Sequence, residues 1–193
     1  MRVFFAVIIL IFSLQFWTKA DDIRDFAIED ISIGDSLLNY YSQKELNNAI
    51  EIFYYPGGND YIYYFLKFKN KKVYQFIQVH ISPNDKNFTV EGIEGHLMYK
   101  KISKCHAQMN EIKISLDKVF NVKNGEDFGK HPFDKTGKST FKRYYYLFSN
   151  SDFAEITCID MSKKLEKRGK NDRLVVSLSS KKLKSFLTYE AYK

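Results

Sequence analysis

Val73-Tyr74-Gln75-Phe76-Ile77-Gln78-Val79-His80-Ile81-Ser82-Pro83-Asn84-Asp85 decides the fold class of this chain. Its first part, Val73 to Ile81, is rich in aromatic and β-branched residues and reads as a strand. Ser82-Pro83-Asn84-Asp85 is a turn signal. A turn this short can only reverse the chain, because a parallel pair needs a crossover of roughly a dozen residues or more. Working outward, Tyr61 to Phe68 is a preceding strand and Phe88 to Tyr99 a following one. Gly92 and Gly95 inside the latter predict a bulge or a close backbone approach.

Upstream, Gly34-Asp35-Ser36 breaks the chain, and Asp35 or Ser36 can cap a helix. Ser42-Gln43-Lys44-Glu45 fits a capping box, and Leu46, Ala49, Ile50 and Phe53 recur at helical spacing. Residues 35–53 are therefore expected to form one kinked helix or two short ones, ended by Pro56-Gly57-Gly58-Asn59-Asp60. Downstream, Ile102, Cys105, Met109, Ile112, Leu116, Val119 and Phe120 put one apolar stripe on a helix over 102–120. Residues 121–139, with Gly125, Gly129, Pro132 and Gly137, read as a long loop. Phe141 to Ser149 and Asp152 to Met161 flank Asn150-Ser151 as a hairpin. Lys163 to Asp172 is a charged loop. Leu174, Val176 and Leu178 alternate inward on a last strand. Ser179 or Ser180 caps a final helix whose Leu183, Phe186, Leu187 and Ala191 face the core.

The sum is an α+β chain in the order α-βββ-α-βββ-α, an antiparallel sheet of about six strands with helices on one face. The doubled order hints at two α-βββ repeats split near residue 101, within a single domain over 21–193.

Residues 1–20 read as a signal peptide. Arg2 gives a positive start, Val3 to Trp17 is apolar apart from Ser13 and Gln15, and Thr18 and Ala20 offer small side chains to a signal peptidase. The apolar stretch would span roughly 22 Å as a helix against a hydrocarbon core of about 30 Å, which is short for an anchor. A periplasmic or secreted location follows, with no transmembrane span after cleavage. An even pair of cysteines in an exported chain favours one disulfide, Cys105 to Cys158, over two buried thiols. Cys105 lies on the helix stripe and Cys158 shares a pleat face with Ala154 and Ile156, so both point at the core.

The net charge is +7, and loss of Arg2 and Lys19 lowers it by two. Most of the basic residues are lysine, interleaved with acids. Lys, Ile, Asn, Tyr and Phe are all plentiful, which matches AT-rich coding rather than a nucleic-acid surface. No nucleic-acid partner is expected.

Ser32-Ile33-Gly34-Asp35-Ser36-Leu37, Gly92-Ile93-Glu94-Gly95, the helix carrying Cys105, Cys158-Ile159-Asp160 and Glu190-Ala191-Tyr192 together resemble secreted α+β proteins of AT-rich marine alphaproteobacteria (Pelagibacter-type). That resemblance implies an envelope location and supplies no activity. The order of the first half also resembles small outer-membrane assembly lipoproteins of the SmpA/OmlA type, although no Cys follows the cleavage site.

Candidate chemistry is thin. Gly34-Asp35-Ser36-Leu37 spells the nucleophile block of GDSL-type esterases, but no Asp-x-x-His follows, and a helix cap explains Ser36 more simply. Gly137-Lys138-Ser139 lacks the first glycine of a P-loop, Pro132 standing in its place. His80, His96, His106 and His131 share no metal-ligand spacing, so no cofactor or metal is expected. Adjacent Cys105 and His106 diverge by about 100° on a helix and form no dyad. Only alternate members of Tyr144-Tyr145-Tyr146 can share one stacking face. Asn87-Phe88-Thr89 is an N-glycosylation sequon, relevant only in a eukaryote. The expectation is a non-enzymatic binding or interaction module, its partner an envelope protein or an anionic envelope polymer. The alternative is a hydrolase built on carboxylates that converge only in three dimensions.

Overall fold

The computed structural model describes residues 22–48, 51–66, 73–132 and 134–193. The signal-peptide reading of residues 1–20 lies outside the described residues. Among them, no helix is long and apolar enough to cross a membrane.

The framework is one eight-stranded antiparallel sheet in the order β3-β4-β5-β6-β10-β9-β8-β7. Its strands are β3 (Glu51–Tyr54), β4 (Ile62–Leu66), β5 (Phe76–Ile81), β6 (Gly92–Tyr99), β7 (Lys123–Lys130), β8 (Thr140–Leu147), β9 (Phe153–Asp160) and β10 (Asp172–Ser179). A second sheet is a two-stranded hairpin, β1 (Ala27–Ile28) with β2 (Ile31–Ser32). Among the described residues four α-helices complete the fold: α1 (Gln43–Asn47), α2 (Ile102–Val119), α3 (Lys163–Glu166) and α4 (Lys181–Tyr189). The chain runs through β3-β4-β5-β6, crosses by α2, and runs back through β7-β8-β9-β10. The last strands of the two meanders, β6 and β10, meet in the middle, with Leu97 opposite Leu174 and Ile93 opposite Leu178.

The antiparallel α+β character therefore holds, but the strand count and order differ from expectation. The helical segment ends at Asn48, after a 3-10 turn (Leu37–Asn39) and the short α1, and residues 51–54 join the sheet as β3. The supposed loop 121–139 contains β7, an edge strand that needs no apolar alternation because only β8 pairs with it. A single turn of helix, α3, interrupts the charged 163–172 segment.

Nor do the helices share one face. Cys158, Ile156, Ala154, Leu174 and Ile93 point to one side, where α2 and residues 22–48 cover them. There Cys105 and Cys158 form a disulfide, their Cα atoms 5.9 Å apart, and the Tyr146 hydroxyl donates to Asp117 Oδ1 at 2.8 Å. The opposite side carries α4, whose Leu183 and Phe186 pack on Tyr55, Phe53 and Tyr63.

Both glycines of β6 mark close approaches, without a bulge in the pairing. A Cβ on Gly95 would lie 2.7 Å from the Tyr74 ring, and one on Gly92 2.2 Å from Leu183 Cδ2.

Candidate functional site: a histidine–glutamate array beside Arg173

In a strand, alternate residues share a face, so Gln78 and His80 of β5 lie beside Glu94 and His96 of β6 on the α4 side. The register pairs Gln78 with Glu94 and Phe76 with His96. Glu94 Oε1 lies 3.5 Å from His80 Nε2, and Oε2 accepts from His96 Nε2 at 3.1 Å. The Tyr55 hydroxyl stands 2.8 Å from His80 Nδ1. His80 Nε2 faces both Glu94 and the Gln78 side-chain amide, 3.2 Å away, so tyrosine, imidazole, amide and carboxylate form one cluster.

The ionisation states follow from burial and from these bonds. Burial raises the Tyr55 pKa and keeps its hydroxyl protonated. Burial also raises Glu94, but hydrogen bonds from His80 and His96 outweigh it and hold the carboxyl well below its usual range. Burial lowers His96 more than Glu94 raises it, so His96 is a neutral donor here. Its ring stacks on Phe76 at 4.5 Å, and its buried Nδ1 has no partner among the described residues.

Arg173 of β10 joins the same face, opposite Met98 of β6. It is half-buried, its Nε is buried without an acceptor, and among the described residues its side chain makes no ion pair or hydrogen bond. Burial lowers its pKa, opposed by Glu94 and Tyr63. Two other cations of this face are matched: Arg143 with Asp127 and Glu155, and Lys184 with Glu155. Both oxygens of Glu94 are already engaged by imidazoles. Glu94 acts on Arg173 only through space, so what the cluster lacks among the described residues is an acceptor in direct contact with Arg173.

The residues singled out in the sequence lie elsewhere. Ser36 Oγ accepts from Leu38 N at 3.2 Å and donates to Asn87 O at 2.5 Å, capping the 3-10 turn. Asp35 of the same tetrapeptide accepts from Ser32 N and the Tyr40 hydroxyl. Ser139 donates through its N–H and Oγ to Asp134 and so closes a turn. The histidine–glutamate–arginine array was missed. Its trace in the sequence is Gln78-x-His80 and Glu94-x-His96, polar residues at strand period in runs that are otherwise apolar. Among the described residues no three His, Cys, Asp or Glu side chains are placed to hold a metal ion.

On the other face a cavity of about 80 Å³ lies under α2, lined by Phe26, Tyr74, Ile112, Leu116, Phe120 and Val176 among others. Its lining is mostly apolar, with Gln108, Ser115 and Glu155 as the polar side chains, and none of the buried unpartnered polar atoms lines it.

No protein-family model matches this chain, and no curated protein or solved structure is significantly similar to it.

Proposed function

We propose that this protein is an exported, non-enzymatic binding module that holds a carboxylate- or phosphate-bearing group against Arg173. One observation carries the reading: a half-buried guanidinium whose side chain makes no ion pair or hydrogen bond among the described residues, on a face where Arg143 and Lys184 are each paired with a carboxylate. A guanidinium offers a planar fork of donors suited to either oxyanion, and a buried one gains most from a partner. Export is supported by the apolar run Val3 to Trp17 followed by Thr18 and Ala20, and by the even cysteine pair. An anionic polymer of the cell envelope carries the required chemistry. A hydrolase draws no support from Ser36, whose hydroxyl is spent on Leu38 and Asn87.

The test is a titration with inorganic phosphate and with acetate at constant ionic strength, followed through arginine Nε–H resonances. A saturable shift of one arginine is expected, lost in Arg173→Gln and kept in the exposed control Lys164→Gln. Shifts that rise without saturation, alike in all three proteins, would remove the proposal.

A further inference from the structure

We infer that the protein pairs with a second copy of itself through the β7 edge, making one sheet that runs through both chains. The pairing rests on main-chain direction and on charge, not on the Arg173 site.

His131 N donates to Ser139 O at 2.9 Å, one step beyond the Lys130–Thr140 pair that ends the β7–β8 ladder. Along an antiparallel pair the main-chain groups alternate in direction. Residues 123, 125, 127 and 129 therefore bond to β8. Asn124, Glu126, Phe128 and Lys130 direct their N–H and C=O groups outward, with no strand beyond them among the described residues. The same four side chains are exposed, and Phe128 is 73% exposed, more than any other large apolar residue described. An unpaired edge of this length with an exposed aromatic among its outward residues is a template for another strand.

A closed two-fold dimer requires antiparallel pairing of identical strands, with outward residues opposite outward residues. Three registers overlap three or more of the four. One sets Asn124 opposite the partner's Lys130 and thereby Asp127 opposite the partner's Asp127. A second sets Asn124 opposite the partner's Phe128 and thereby Glu126 opposite the partner's Glu126. Like charges directly opposed destabilise a sheet pair. The third sets Phe128 opposite the partner's Phe128, Glu126 opposite the partner's Lys130 twice over, and Asp127 opposite the partner's Gly129. Only this register has no like-charge opposition, and it adds an aromatic pair and two ion pairs. Glu126 is free to serve it, since its contact with Lys142 is a loose 3.8 Å.

Sedimentation velocity on the purified protein with its disulfide intact tests the inference. The protein should sediment as a dimer. Glu126→Lys and Lys130→Glu should each weaken the dimer roughly tenfold or more, because each turns two attractions into repulsions. The double variant E126K/K130E restores opposite charges and should regain the dimer. Circular dichroism of each single variant separates dissociation from unfolding, and recovery in the double variant separates a paired contact from a general charge effect. A monomer at every accessible concentration would show that the charges on β7 guard the edge instead. A dimer indifferent to both single changes would place the interface elsewhere. Either result overturns the inference.

Discussion

The Tyr55 hydroxyl and His80 Nδ1 lie 2.8 Å apart beneath α4, joining the C-terminal packing cluster to the polar array on β5 and β6. Tyr55→Phe keeps the ring against Phe186 but strips His80 of this partner. A buried nitrogen left unsatisfied costs about 1–3 kcal/mol. Urea unfolding should show that loss, and the His80 ring nitrogens should change their NMR shifts. An unchanged midpoint with unchanged His80 shifts would mean that the bond contributes nothing.

Mild acid should already destabilise the fold through its buried histidines. Burial and the Arg173 charge hold His131 down to about 4, and burial also lowers His96. In the unfolded chain both titrate near ~6.5. As the pH falls, the unfolded state takes up protons first, so stability present in full above about 6.5 is lost on acidification. For His131 the loss extends down to about 4 and amounts to roughly 2–3 kcal/mol. Urea midpoints at neutral and mildly acidic pH measure it. A flat profile there would contradict both shifts. Glu94, also held low, extends the loss to more acidic pH.

Reduction of Cys105–Cys158 should weaken the protein markedly. The bridge links residues 53 apart in sequence, and closing a loop of that size is worth about 4 kcal/mol in the chain-entropy view. Cys105→Ser with Cys158→Ser should lower the denaturation midpoint, as should reductant on the native chain. Peptide mapping without reduction should find the two cysteines linked; two alkylatable thiols in protein from its own compartment would contradict the structure.

Ser36→Ala should cost roughly 1 kcal/mol through loss of the cap. The Asn87 carbonyl also loses its donor, so the loop carrying Asn87 should show faster amide exchange. Loss of an esterase activity with unchanged stability would instead make Ser36 a nucleophile.

Much of the fold was legible because burial leaves a period. The stripe from Ile102 to Val119 gave α2, alternation gave β10, and the Asn150-Ser151 turn gave the β8–β9 hairpin. Cys105 and Cys158 could be paired because each sat on an inward position. β7 was hidden since an edge strand with Glu126, Asp127 and Lys130 exposes one side and half-buries the other, leaving no hydrophobic signature. β3 was hidden because Phe53 fits a helical spacing as well as a strand. The placement of α4 opposite α2 depends on which side of the sheet the chain crosses, and no local pattern encodes that. The array of His80, Glu94, His96 and Arg173 joins three strands, and nothing along the chain announces that Arg173 should come near Glu94.

The central position of β10 has a consequence for how the molecule is made. β10 is the last strand of the chain yet sits between β6 and β9. Until residues 172–179 have emerged, β6 and β9 both carry raw edges and the two meanders have no common sheet. The decisive contacts, such as Leu97 with Leu174, are remote in sequence, and contacts of that kind form slowly. During synthesis the chain therefore passes through an interval in which two sticky, half-built sheets coexist. A helper that shields strand edges would act in that interval, and a truncation ahead of Asp172 would make the interval permanent.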